Sequence, residues 1–513
     1  MPVASPTSLA RYGRQGQWPV SAETDFSRGM VRDLGRSSIP FGGVYNSTDF
    51  LFDVPGQARK RGGTSYLSDA LGATATGVNF VAAPEFPTGR RIVGLGADGK
   101  LYDATSGTVS DRGSFGITTL DNPALYIDRL VVASADGTTA PKKIYVSAGN
   151  VTFANLGGSP PAGRLVTSHL SYVVLGSSSA YPNRIWFSTI PDPDNTWVTG
   201  DYVDFTHSLT AIVPIQGVLL GFSGGATERL TGNIPPGTTG ENMQLQSVGQ
   251  VGCCDARSVA AWGSYVVFAS QDGVYVTNGA GFDSLTEKAD ASGIQSYWRG
   301  LYSDLQAAGG GIIAGGIFNR NYYFLTISHG STLVDTLVCY LPRKSWMRVT
   351  NIACQMYAPS SVGTDELYGA TISGAPGNKI LKLSGVTTPT ASNKNDANGT
   401  AVAPMIEPRM IGSGLGVKAY GHGHLTFDMR DAASDNPSLK IESSMGVEAD
   451  TTYHEVPESP FTETTRSKRK RFMVNKDGQA LNLRLTQTGA SSKTELYAIE
   501  VEARSFAEQA DGQ

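Results

Sequence analysis

The sequence predicts an all-β protein: a β-propeller of six or seven blades, with a C-terminal β-sandwich module and an extended N-terminal segment. Three observations lead there. The 513 residues include 61 Gly and 26 Pro beside 21 Tyr and 19 Phe, a composition suited to many short strands joined by tight turns. Three stretches share one design: RIVGLGADGKLY (91–102), RLVVASADGTT (129–139) and YVVFASQDGVYV (265–276) each pass from an apolar run through a small residue to Asp-Gly. Asp-Gly between apolar runs is the strongest short-range hairpin signal, because Gly takes the positive φ of the turn and Asp tolerates it. Looser relatives follow at 170–189, 217–232 and 316–327, where Ser-rich, Ser-Gly-Gly and Asn-Arg-Asn turns replace Asp-Gly. The starts of the series recur at roughly 40–50 residues, the length of one four-stranded blade.

Each part of the chain follows from these signals. Residues 1–77 mix Ser/Gly/Pro segments such as RGMVRDLGRSSIPFGG with short apolar runs and read as an arm or platform segment. Residues 78–385 hold the hairpin series and accommodate about six or seven blades. Blades stacked around an axis cover each other, which a lone four-stranded sheet cannot do for both its faces. The same alternation also allows a pair of β-sandwiches, the runner-up architecture. Residues 386–405, VTTPTASNKNDANGTAVAP and its neighbours, have little to bury and read as a linker or surface loop. Residues 406–513 alternate apolar and polar positions in HLTFDMR, LKIESSM, KRFMVN, LNLRLTQ and ELYAIEVEAR, the pattern of half-buried strands in a small sandwich.

Charge and cysteine content exclude several function classes. The formal net charge is −4 with 17% charged residues, so no global basic excess exists to wrap nucleic acid. Four Cys, two adjacent at Cys253 and Cys254, form neither a disulfide framework nor a CxxC metal pair, and suit synthesis in a reducing cytoplasm. No apolar run approaches the ~18 residues of a membrane span, and MPVASPTSLARYGRQGQ lacks the apolar core of an export signal.

The candidate sites each have a plainer structural reading. Paired carboxylates for glycan cleavage are not evident, since Asp and Glu are scattered and sit mostly in turns. SADGTT (134–139) and PDPDNTW (191–197) resemble the Asp-boxes of sialidase-like propellers without the full form, and those boxes are fold corners. Two carboxylates two apart in PDPDNTW hint at calcium, yet a turn closed by Trp197 packing explains them. His422 and His424 in GHGH share a strand face and lack a third ligand. GLGADG is not GxGxxG, and SGGATERL lacks the Lys-Ser/Thr of a phosphate loop. RSKRKR (466–471), the densest charge run, leads into a strand and reads as a solvated edge. No catalytic, cofactor or metal site is expected, and the chain is expected not to be an enzyme.

One family shares several of these turn phrases. RGGTSYL after PGQARK, NRIWFST followed by DPDNTW, GVLLGFSGGATERLTG, VGCCDARSVAAWGSYVVFASQDGVYVTNG and the C-terminal KRKRF module together resemble the tail nozzle, or tail tubular, proteins of short-tailed bacteriophages. The likeness covers most of the chain. It implies a virion protein made in the host cytoplasm and placed in the tail. Typically six copies ring a DNA channel, joined above to an adaptor ring on the portal and carrying fibre or plug proteins. Mild acidity agrees with a channel through which genomic DNA slides without specific binding.

Arg59, Lys60 and Arg61 in PGQARKRGG are the candidate subunit contacts of such a ring: the glycines permit a tight bend, and the cations are available to carboxylates on a neighbouring strand or subunit. On that expectation Arg61→Ala weakens assembly and leaves the monomer folded. Two other function classes remain open at this point. One is a receptor- or glycan-binding propeller, marked by exposed aromatics with carboxylates at one propeller mouth, and the other is a bacterial propeller scaffold.

Overall fold

A computed structural model describes residues 20–67, 71, 77–190, 192–198, 200–330, 332–359, 366–372, 378–387, 395–411, 417–430, 437–445, 452–462, 468–491 and 493–505. Seven four-stranded antiparallel meanders make a β-propeller. Their innermost strands are Val78–Ala82, Ala124–Tyr126, Leu165–His169, Ala211–Ile215, Ala260–Trp262, Ile312–Phe318 and Cys354–Pro359, defining blades one to seven. The inner strand of blade seven packs on that of blade one, which closes the ring.

The Asp-Gly phrases sit where the turn chemistry puts them. Ala97-Asp98-Gly99, Asp136-Gly137 and Asp272-Gly273 make the reversal between second and third strands of blades one, two and five. In two of them the Asp carboxylate is also held by a tyrosine of the third strand, Tyr102 for Asp98 and Tyr275 for Asp272. Asn319-Arg320 differs: it joins the first and second strands of blade six, both residues at positive φ.

Blade seven takes only three strands from its own stretch of chain. Its outer strand is Ser65–Tyr66, paired with Ile380–Lys382, so the N-terminal segment clasps the ring shut. Blade six is extended instead. Its outer strand Ser345–Arg348 pairs in parallel with Gly29–Met30, and the sheet runs on through Gly43–Thr48, Met405–Pro408, Leu481–Thr488 and Ser438–Met445. Gly29 makes this junction possible. It sits at φ +71, and a Cβ there would lie 2.8 Å from the Trp346 carbonyl oxygen.

The long sheet is one layer of the C-terminal sandwich. The other runs Phe50–Leu51, Ala58–Lys60, Lys493–Ser505, Lys418–Arg430 and Lys468–Gly478, with Val20–Glu23 also on Lys493–Ser505. Apolar residues of both layers, Ile406, Leu425, Phe472 and Ile499 among them, share one core with Phe324, Tyr357 and Leu383 of blades six and seven. Propeller and sandwich are therefore fused through backbone and side chains alike.

A 13-residue helix, α1 (Gln295–Ala307), bridges blades five and six. It buries Trp298, Leu301 and Leu305 against Leu325 and Ile327 of blade six. Its free N-terminal amides are satisfied from a distance: Asp33 accepts from Gln295 N (2.9 Å) and Ser296 N (2.6 Å).

Candidate functional site

The PGQARKRGG segment turns inward. Arg61 is fully buried, and all five of its N–H donors find acceptors. Nε donates to Asp49 (2.6 Å), Nη1 to Gly62 O (2.9 Å) and Asp396 Oδ1 (2.8 Å), and Nη2 to Thr350 O (2.8 Å) and Asp396 Oδ2 (2.9 Å). Burial opposes the charge, but the Asp49 and Asp396 carboxylates outweigh it and hold the guanidinium pKa above its usual value. Asp49 also accepts from Thr350 N (2.9 Å), and Asp396 from Asn351 Nδ2 (3.0 Å) and Thr64 N (3.2 Å). One guanidinium thus ties the N-terminal segment, the chain leaving blade six and the approach to the sandwich.

Its neighbours behave alike. Lys60 is buried, its Nζ donating to Ser491 O (2.7 Å) inside the sandwich. Arg59 forks onto Asp53, to which Tyr322 Oη also donates. Burial pushes the Asp53 carboxyl up, and Arg59 more than reverses this, leaving it below the ordinary carboxylate value. Arg59, Lys60 and Arg61, expected as subunit contacts, all find partners within their own chain, and Lys60 and Arg61 are fully buried there. The flanking glycines suggest an exposed turn; Asp53 and Asp49 lie within 12 residues of Arg59 and Arg61, but Ser491 and Asp396, 431 and 335 positions from Lys60 and Arg61, are acceptors that no local pattern reveals.

PDPDNTW is likewise closed from within. Asp194 is held by Arg129 and Lys143 and accepts from Gly157 N (2.7 Å), and Asp192 pairs with Arg129 (3.1 Å). Side-chain cations fill the place a calcium ion would need. Trp197 packs on the blade two and three core and donates Nε1–H to Pro193 O (2.9 Å). In SADGTT, Asp136 accepts from Thr138 N (2.8 Å) and Thr139 N (3.0 Å), a turn-forming role, and these amides depress its pKa.

His422 and His424 share a face of Lys418–Arg430, as their spacing predicts, and His424 lies opposite Arg471 and Glu500. Burial first, then the Arg469 charge, lowers the His424 pKa, an environment opposed to a second cation. Among the described residues no three His, Cys, Asp or Glu side chains group as metal ligands. All four cysteines are free, and burial pushes the Cys253 and Cys354 thiols up to about 12. Gly252 before them lies where a Cβ would meet Ser223 O at 2.2 Å, so the Gly-Cys-Cys turn is a tight crossing between blades four and five. Residues 466 and 467 of RSKRKR lie outside the described set, and Lys468–Gly478 stands at the end of its sheet. No helix among the described residues is long and apolar enough to cross a membrane.

The propeller axis holds a cavity of about 770 Å³. Small residues of the inner strands line it, including Ala82, Ala261, Gly315, Gly316 and Ala358, with Asn122, Arg320 and Glu366 as polar groups. Glu366 is already bound by Arg90 (3.0 Å), Lys382 (2.5 Å) and Tyr368. The cavity has the volume of a small-molecule pocket, without convergent unpaired acids.

No family model and no curated protein sequence matches the chain. Among solved structures, it is similar to the computationally designed Ika8 protein, with 13% identity and TM-score 0.38 over 62% of this chain and 99% of that one. It is also similar to YCF48 from Cyanidioschyzon merolae, with 12% identity and TM-score 0.39 over 61% of this chain and 97% of that one. BamB from Moraxella catarrhalis gives 13% identity and TM-score 0.35 over 60% of this chain and 82% of that one.

Proposed function

We infer that this chain is a structural ring component of a short bacteriophage tail, a nozzle subunit that continues the DNA-ejection channel below an adaptor ring. The observation that carries the reading is mechanical. Blade six and one layer of the sandwich are a single sheet, and Arg61 with its buried carboxylates locks the crossing, so the chain is suited to bear load as one body. The turn phrases shared with tail nozzle proteins supply the context.

The channel in this reading lies between copies. A cavity of about 770 Å³ on the propeller axis is the size of a small-molecule pocket, and a DNA duplex does not fit through it. A ring of subunits, each contributing one wall, provides the lumen instead.

The glycan-binding alternative has less support. Its expected mark, exposed aromatics at a propeller mouth, has one near match on the outer strands of blade three, where exposed Tyr181 and half-buried Tyr202 gather beside the buried Trp186. Arg184 stacks on Tyr181 (4.3 Å) and Tyr202 (3.6 Å), occupying the ring faces that a sugar would need. Negative-stain imaging and mass measurement of the purified protein, alone and within particles, test the proposal. A closed ring, expected to hold six copies, supports the nozzle role. A monomer or trimer that binds polysaccharide overturns it.

A further inference from the structure

Five of the nine large hydrophobic residues exposed among the described residues lie at one end of the propeller: Ile127, Leu170, Ile190, Val198 and Tyr265. In a four-stranded meander the first and third reversals share an end, and all five sit in or beside those reversals. The group on blades two and three is contiguous. Tyr126 Oη donates to Ser171 O (2.8 Å) across the blade boundary, and Arg129, beside Ile127, binds Asp192 in the loop that carries Ile190 and Val198.

Among the described residues, these side chains have no covering partner. Ile127 is 69% exposed and held at φ +53, a conformation that a β-branched residue rarely adopts. Leu170 sits at φ +48 in the equivalent turn of the next blade. Asn or Gly serves such tips without strain. Strained, bulky, apolar tips on adjacent blades mark a contact surface. Half-exposed carboxylates of Asp128 and Asp192 border it.

The same chain carries a matching surface. Lys468–Gly478 ends its sheet, and its outward side chains Arg469, Arg471, Met473 and Asn475 are exposed, alternating with the buried Phe472 and Val474. Arg471 and Arg469, the latter paired with Glu500, flank an exposed apolar Met473 there, while Asp128 and Asp192, two carboxylates that share the single cation Arg129, leave an acidic excess beside the exposed apolar residues on blades two and three. We propose that the Ile127/Leu170 face of one copy receives the Lys468–Gly478 strand of a second copy, a heterologous contact that repeats around a ring. The inference rests on the ring reading above and replaces Arg59, Lys60 and Arg61 as the subunit contact.

The experiment uses the full-length protein, with mass measured by sedimentation and folding monitored by thermal melting. Ile127→Asp removes the apolar tip with a residue that tolerates positive φ, and is expected to leave the melting curve unchanged and convert rings to monomers. Two charge reversals, Asp128→Lys with Asp192→Lys, and Arg469→Glu with Arg471→Glu, are each expected to block assembly alone. Mixed one to one they should reassemble, because each reversed face then meets its reversed partner. If the wild type forms rings and Ile127→Asp does too, this face is overturned while the ring reading stands. If Ile127→Asp disrupts assembly but the mixture does not restore it, the Lys468–Gly478 strand is not the occupant and the proposal fails. A wild type that stays monomeric at every concentration sinks the ring reading first, and this contact with it.

Discussion

Arg61 ties the N-terminal segment to the approach to the sandwich, because its guanidinium neutralises two buried carboxylates, Asp49 nearby in sequence and Asp396, 335 positions away. Arg61→Ala strands Asp49 and Asp396 without their cation, and a broken buried pair costs about 3–5 kcal/mol. The variant is expected to show that loss in denaturant unfolding, where an unchanged midpoint would contradict the account. His169 in blade three makes a second, pH-dependent prediction. Burial lowers its pKa from 6.5 to about 4, so the folded imidazole stays neutral where the unfolded one is protonated. Between those values the unfolded chain binds the extra proton, and stability falls as pH drops from 6.5 towards 4. Above 6.5 this contribution is constant. A loss of roughly 2–3 kcal/mol across that window is expected, and His169→Gln should flatten the slope.

Among the elements, the blade seven clasp depends on two paired residues, Ser65–Tyr66, and on Leu67 N donating to Ile380 O (2.9 Å). Leu67→Pro deletes that donor and leaves a buried carbonyl without its partner, at about 1–3 kcal/mol. Limited proteolysis should then cut near residues 65–67 sooner than in the wild type, and equal cutting rates would show that closure does not rest on this bond. Hairpins were the readable elements. Asp98-Gly99, Asp136-Gly137 and Asp272-Gly273 carry their turn geometry in two adjacent residues, so they stand where the sequence places them. Asn319-Arg320 illustrates the limit, since a turn signal names a reversal without saying which pair of strands it joins. α1 escaped notice because its N-terminal cap, Asp33, lies 262 residues upstream of Gln295.

For the whole molecule, the shared sheet of blade six and the sandwich predicts that the two parts melt together. Differential scanning calorimetry should show one transition, and two well-separated transitions would mean that the parallel pairing at Gly29 and Trp346 couples them weakly. What the sequence by itself determined was local and periodic: an all-β chain, the hairpin repeat and the strand alternation of the C-terminal module. Such features depend on neighbours within a few residues, whose spacing is visible as text. Only the tertiary structure decided that Ser65–Tyr66 completes blade seven, that blade six runs into the sandwich, and that Arg61 faces two carboxylates in its own core. Those outcomes depend on contacts between residues hundreds of positions apart, and a charged triplet beside glycines looks the same in sequence whether its partners come from solvent, another subunit or the interior.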